Sequence, residues 1–110
     1  MNLLPMEIST YWSLAEGSRV PSGTISLGVR PEDLHLLEPG SPDSGFKIDA
    51  TVAAVELVGA ESYVHGVLPN QQPIVFRVPG RSRIVVDEPL TVHADFDSLH
   101  FFDASGKRLN

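Results

Sequence analysis

The chain has 110 residues, of which 42% are apolar, and it carries a formal net charge of −6 and no cysteine. Its length and apolar content predict a single domain over residues 1–110 with one modest core. The lack of cysteine excludes disulfides and thiolate chemistry and fits a reducing cytoplasm. The negative charge argues against nucleic acid as a partner, because binding to a phosphate backbone needs a concentrated positive surface.

The N-terminal segment alternates between apolar and polar residues before a series of turn-formers. Ile8, Thr10, Trp12 and Leu14 are two apart, as one face of a strand requires, so we predict a first strand here. Glycine, serine and proline in residues 16–23 predict that the chain then reverses direction.

A polar corner follows the next predicted strand. Ile25, Leu27 and Val29 alternate with polar or small residues and predict a half-buried strand. This strand is expected to end before Pro31, which has no N–H to donate to a sheet, and the corner is expected to hold at most one short helical turn. The segment 38–45 is rich in proline, glycine and serine and predicts a surface connection.

The central part of the chain predicts a long bent strand and a hairpin. Apolar residues alternate over residues 46–52 and then change phase, which indicates a β-bulge near residues 53–54. Two further strands are predicted at residues 62–67 and 73–78, and a short one at residues 84–86.

One pattern of side-chain types occurs twice in the sequence. The side-chain pattern of residues 25–38 recurs in residues 90–103: an alternating apolar strand, a polar corner, then leucine, histidine, two apolar residues and an acid. We therefore predict two small modules of similar shape. About seven to nine short strands with frequent glycine and proline indicate an all-β barrel or sandwich, and a closed barrel is favoured because open sheet edges invite aggregation.

No catalytic motif is present in the sequence. The chain has no G-x-x-x-x-G-K-[ST] phosphate-binding loop, no G-x-S-x-G nucleophile elbow and no H-E-x-x-H zinc motif. We therefore predict that this chain is not an enzyme by itself and has no catalytic, cofactor-binding or metal site.

The corners supply the first group of candidate site residues. Arg30, Glu32, His35 and His100 are interpreted as a structural or regulatory corner, in which Arg30 and Glu32 could pair. The matching positions of the two histidines favour one hydrogen bond repeated in each module, with a metal held by both as the alternative.

His93, Asp95 and Asp97 share one predicted strand face and its corner. Their nitrogen and oxygen atoms are candidate metal ligands, but a solvated strand face is the preferred interpretation.

Arg77, Arg81 and Arg83 form the main basic cluster. Arginine presents a planar fork to carboxylates and phosphates, so these residues are candidates for contact with an anion or an acidic partner surface. A solvated loop that balances nearby acids is the preferred interpretation.

Four segments of the chain carry a family resemblance: LGVRPEDLHLL (27–37), VAAVELVGAESYVHGVL (52–68), VFRVPG (75–80) and LHFFDASGKRL (99–109). In this order they resemble the C-terminal TOBE-type regulatory domain of ABC-transporter ATP-binding subunits, and most of all those of maltose and glycerol-phosphate importers. The chain's start, MNLLP, is similar to the junction at which the ATPase domain of that family is followed by this domain.

The resemblance implies an oligonucleotide-binding-type (OB-fold-like) β-barrel with additional strands. It implies a non-catalytic, regulatory and dimer-contact domain of a carbohydrate-type importer, located in the cytoplasm at the inner face of the cell membrane. The implied partners are the ATPase domain of the parent chain, a second copy of the subunit, the membrane permease subunits indirectly, and a regulatory protein. ATP and Mg²⁺ would bind the ATPase domain, whose motifs are missing here.

A stand-alone module that binds an oxyanion or a sugar is the alternative function. It would use Arg77, Arg81 or backbone amides near the glycine-rich turns. An oligonucleotide binder ranks third, because the chain is acidic and lacks a basic aromatic groove.

Overall fold

The protein is built from β-strands and short 3₁₀ helices. A computed structural model of the chain describes residues 1–37, 45–80 and 83–110, and the side chains of all of these except residues 8–10. Within these ranges the all-β class is confirmed, since the only helices are 3₁₀ helices at Met6–Tyr11, Pro31–Asp33 and Phe96–Ser98. The strands are β1 (Asn2–Pro5), β2 (Trp12–Leu14), β3 (Ser26–Val29), β4 (His35–Leu36), β5 (Gly45–Val58), β6 (Glu61–Val67), β7 (Pro73–Pro79), β8 (Pro89–Asp95) and β9 (His100–Phe102).

The strands form two antiparallel sheets. One has the order β1-β3-β9, and the other has the order β4-β8-β5-β6-β7 with β2 also paired to β5. Among the described residues neither sheet closes on itself, so the prediction of a closed barrel is wrong in this respect. No helix in these residues is long and apolar enough to cross a membrane.

Side chains, rather than a strand ladder, join the edge of one sheet to the edge of the other. The Asn2 carboxamide donates to the Val75 carbonyl oxygen at 2.7 Å and accepts from the Val75 N–H at 2.8 Å. The Gln72 side chain donates to the carbonyl oxygen of Leu3 at 2.9 Å. The Asn2 amide thus occupies the place that a neighbouring peptide group would take beside β7.

Replacing Asn2 by alanine is expected to lower the free energy of unfolding by about 1–3 kcal/mol, because both polar groups of Val75 lose their partner in a partly buried place. Urea denaturation measures this loss. Asn70→Ala is the control, since within the described residues the Asn70 side chain accepts a single exposed hydrogen bond, from the Gln72 N–H. Equal losses in the two variants would show that the Asn2 contact does not join the sheets.

The two predicted modules have the same local structure. Their corners are the 3₁₀ helices Pro31–Asp33 and Phe96–Ser98, which begin and end at matching positions of the repeat. The preceding residues have similar backbone angles, φ −78° and ψ 147° at Arg30 and φ −65° and ψ 145° at Asp95. Leu34 and Leu99, which follow the corners, are both fully buried. The repeat seen in the sequence is therefore also a repeat of local structure.

Each module also pairs with the other in a reciprocal way. The β3 strand of the first module pairs with β9 of the second, and β8 of the second pairs with β4 of the first. Gly28 lies opposite His100. In the repeat, Gly28 corresponds to His93 and His100 corresponds to His35, and these two histidines also lie opposite each other. The modules are thus related by a local two-fold arrangement within one chain.

The long strand β5 forms the centre of the larger sheet. It pairs with β8, β6 and β2, and its inward residues Phe46, Ile48, Ala50 and Val52 are buried. The register of β5 against β6 shifts between Val52 and Ala54, which confirms the predicted bulge. This change of phase keeps a bent strand in contact with the core.

Two predicted strands are wrong. Residues 6–11 form a 3₁₀ helix and only Trp12–Leu14 pairs with β5, because the chain must pass here from the sheet of β1 to the sheet of β2. Residues 84–86 form no strand, and Val85 and Val86 are exposed (61% and 56%). Of the predicted connection 38–45, residues 38–44 lie outside the described ranges.

Candidate functional site

The first corner lies against β7 and forms a shallow polar cleft with it. The 3₁₀ helix Pro31–Asp33 contacts β7, and the cleft between the two has a volume of about 270 Å³. It brings together members of two candidate groups that are far apart in sequence, Glu32 and His35 of the corner and Arg77 of the arginine cluster. The cleft is lined by Glu32, His35, Glu61, Arg77, Val78 and Pro79.

Arg77 is the cationic residue of the cleft, and an acid of the same hairpin neutralises it. Its Nε lies 2.7 Å from Oε2 of Glu61, with both side chains partly exposed. A hydrogen bond to the Tyr63 hydroxyl, and then the charges of Glu61 and Glu32, raise the pKa of the Arg77 guanidinium against its partial burial. With two carboxylates around one guanidinium, the cleft does not favour an added anion.

The hairpin register explains why these side chains meet. Tyr63 lies opposite Arg77 and Glu61 lies opposite Pro79 in the pairing of β6 with β7. Glu61 and Tyr63 were not among the predicted site residues. Their signal was the alternation along the predicted hairpin, which places Glu61, Tyr63 and Arg77 on one face once the turn fixes the register.

The other predicted residues that the structure describes do not line the cleft. Among the described residues Arg30 and Glu32 form no ion pair with each other, so the pair expected across the corner is not present. Arg83 is exposed and does not line the cleft, and Arg81 lies outside the described residues.

The two repeat-related histidines have different neighbours. His35 is on β4 opposite His93, whereas His100 is on β9 and stacks against Phe102, with ring centroids 6.5 Å apart. Within the described ranges neither imidazole makes a side-chain hydrogen bond, so the repeated hydrogen bond expected from the sequence is not found. The repeat therefore matches these positions in the backbone and not in their side-chain contacts.

The described residues contain no group of three histidine, aspartate, glutamate or cysteine side chains that could hold a metal ion. The set His93, Asp95 and Asp97 therefore forms no such group, and His35 and His100 lie in different sheets.

The environment of His100 disfavours its charged form. Burial, followed by the charges of Arg108 and Arg30, lowers the pKa of the His100 imidazole, and Asp33 opposes this effect. Arg30 therefore acts electrostatically on the second module's histidine across the β3–β9 pair.

Stability is expected to fall as the pH drops below about 6.5, the ordinary pKa of histidine, because the unfolded chain binds a proton that the folded His100 resists. The loss is complete once the pH is below the lowered pKa of the folded state. His100→Gln is expected to flatten this part of the curve, measured as urea midpoints between pH 5 and pH 8. An unchanged slope in His100→Gln would assign it to another group.

A comparison with known protein families identifies the fold. Residues 27–102 match the family described as TOBE domain. This range covers most of both modules and the whole of β5, β6 and β7. It confirms the resemblance seen in the sequence and the OB-fold-like class.

Curated relatives match nearly the whole chain. The chain is 49% identical over 112 residues to the sn-glycerol-3-phosphate import ATP-binding protein UgpC of Rhizobium meliloti (strain 1021), covering 99% of this chain and 32% of the relative. It is 46% identical over 114 residues to UgpC 3 of Agrobacterium fabrum (strain C58), with 99% and 32% covered. For UgpC of Brucella abortus biovar 1 (strain 9-941) the identity is 44% over 111 residues, with 100% and 32% covered.

The chain thus spans about a third of the length of these relatives and corresponds to their C-terminal region. By its sequence and by its fold, this chain belongs to the TOBE domain family.

Proposed function

We propose that this chain is the regulatory and dimer-contact domain of the ATP-binding subunit of a glycerol-phosphate or related carbohydrate importer. The observation that carries the proposal is its 49% identity over 99% of its length to the C-terminal region of a protein named for sn-glycerol-3-phosphate import. Residues 1–110 act without chemistry of their own, and the ATPase domain of the parent subunit binds ATP and Mg²⁺.

The partners follow from this assignment. They are the ATPase domain in the parent chain, a second copy of the subunit and, through the ATPase domain, the membrane permease subunits, with a regulatory protein as a further partner. The domain acts in the cytoplasm at the inner face of the cell membrane. The cleft formed by Glu32, His35, Glu61 and Arg77 is a candidate contact surface, because it places both signs of charge at the surface.

A chimera tests this function. The first two thirds of the Rhizobium meliloti relative are joined to this chain in place of the relative's own last third, and the chimera is expressed in a strain that lacks the relative. The chimera is expected to support uptake of sn-glycerol-3-phosphate. The control is the relative truncated before its last third, and the chimera is expected to transport better than this control. A chimera that accumulates to normal levels but transports no better than the truncated control would contradict the proposal.

The anion-binding alternative has a separate test. Because Glu61 already pairs with Arg77, millimolar phosphate or glycerol phosphate is expected to leave the melting temperature of the wild-type chain unchanged. Glu61→Gln frees the guanidinium and is expected to give a small anion-dependent rise. A clear rise in the wild-type protein would favour a stand-alone anion-binding module instead.

A further inference from the structure

Two histidines face each other across neighbouring strands of the larger sheet. One of them, His35, also lines the cleft, but neither takes part in the ion pair between Arg77 and Glu61. His35 of β4 and His93 of β8 are directly opposed in the antiparallel register. Their ring centroids are 5.8 Å apart, with the ring planes inclined at 56°. His35 is exposed and His93 is partly exposed, so solvent reaches the pair.

We propose that His35 and His93 form a two-histidine binding site for a divalent late transition-metal ion such as Ni²⁺ or Zn²⁺. Imidazole nitrogen is a preferred ligand of these ions. Directly opposed side chains in an antiparallel pair have Cβ atoms about 4.5–5.5 Å apart. An ion bound to two nitrogens at about 2.0–2.1 Å keeps those nitrogens within about 4.2 Å of each other. Rings at the observed separation reach this geometry by rotation about their side-chain bonds.

The site has two protein ligands, and water completes the coordination. The described residues place no third histidine, aspartate, glutamate or cysteine with this pair in a metal-binding group. Lys47 lies opposite His93 on β5, and its positive charge opposes cation binding. Binding is therefore expected to be weak and reversible, and the fold does not depend on it. The site shares His35 with the cleft described above, but metal binding there does not depend on the importer function proposed for the chain.

Titration calorimetry of the tag-free chain with Ni²⁺ tests the proposal. The chain has four histidines, so two are candidate ligands and two, His65 and His100, are matched controls. The wild type is expected to bind one Ni²⁺. His35→Gln and His93→Gln are each expected to weaken binding by about tenfold or more. His65→Gln and His100→Gln are expected to bind as the wild type does.

Three results would overturn the proposal: no Ni²⁺ binding by the wild type at millimolar concentration, an equal loss in the control variants, or a loss in only one of the two candidate variants. Thermal unfolding of each variant checks that it folds. If His93→Gln does not fold, the exposed His35→Gln decides the result alone, because unchanged affinity in that variant excludes the pair.

Discussion

Leu34→Ala and Leu99→Ala are each expected to lower the free energy of unfolding by about 2–5 kcal/mol. Both leucines are fully buried and follow the corners at matching positions of the two modules. Truncation removes apolar contacts and leaves a cavity that a close-packed core only partly fills. Since a domain of this size is stable by about 5–15 kcal/mol, either substitution removes a large part of that stability.

Urea denaturation of the two variants measures these losses. Val85→Ala is the control, because Val85 is 61% exposed and its truncation is expected to change stability by no more than about 0.5 kcal/mol. A large loss in Leu34→Ala with a negligible one in Leu99→Ala would contradict the equivalence of the two modules.

Gly45→Ala is expected to destabilise the protein by about 3 kcal/mol or more, at the upper end of overpacking effects. A Cβ atom at this position would lie 2.5 Å from the carbonyl oxygen of Ala94 and 2.7 Å from the backbone nitrogen of Phe96. Backbone atoms at the junction of β8 and the second corner cannot move aside without disturbing the pairing of β5 with β8.

Gly28→Ala is the matched control for this substitution. A Cβ atom there would approach Sδ of Met1 and Cε2 of Phe102, both at 2.9 Å, and the flexible Met1 side chain is free to move. The Phe102 ring must also shift, so we expect a loss of about 1–2 kcal/mol, smaller than at Gly45, where backbone atoms block the Cβ. Thermal or urea unfolding that ranks Gly28→Ala as the more damaging substitution would contradict the packing described at Gly45.

The modules, the bulge and the hairpin could be predicted from the sequence because each has a local signal. The recurring segment predicted two corners, and both are short 3₁₀ helices with a buried leucine after them. The phase change after Val52 predicted the shift of register that the structure shows. In these places local pattern and tertiary packing agree.

The first strand and the barrel closure could not be predicted in this way. The alternation of residues 8–14 fits a strand, but the chain has to cross between sheets at this point, and residues 6–11 form a 3₁₀ helix instead. Whether the sheets close depends on which edges meet, and here the Asn2 side chain takes a place that strand pairing would otherwise fill. Neither outcome has a local sequence signal.

The structure brings only some of the candidate residues together, and their role stays a prediction. Arg77, Glu32 and His35 were selected from the sequence, and they line one cleft. Glu61 was missed because its contact with Arg77 depends on the hairpin register, and an acid at the start of a strand gives no other signal. The opposition of His35 and His93 follows from the reciprocal pairing of the modules, which the repeat alone does not specify.

The DNA sequence upstream of the Met1 codon tests the central proposal most directly. If this chain is the regulatory domain of an importer subunit, the reading frame continues upstream and encodes an ATPase domain with Walker and signature motifs that joins MNLLP directly. An in-frame stop codon immediately before Met1 would contradict the proposal and would favour a stand-alone binding module.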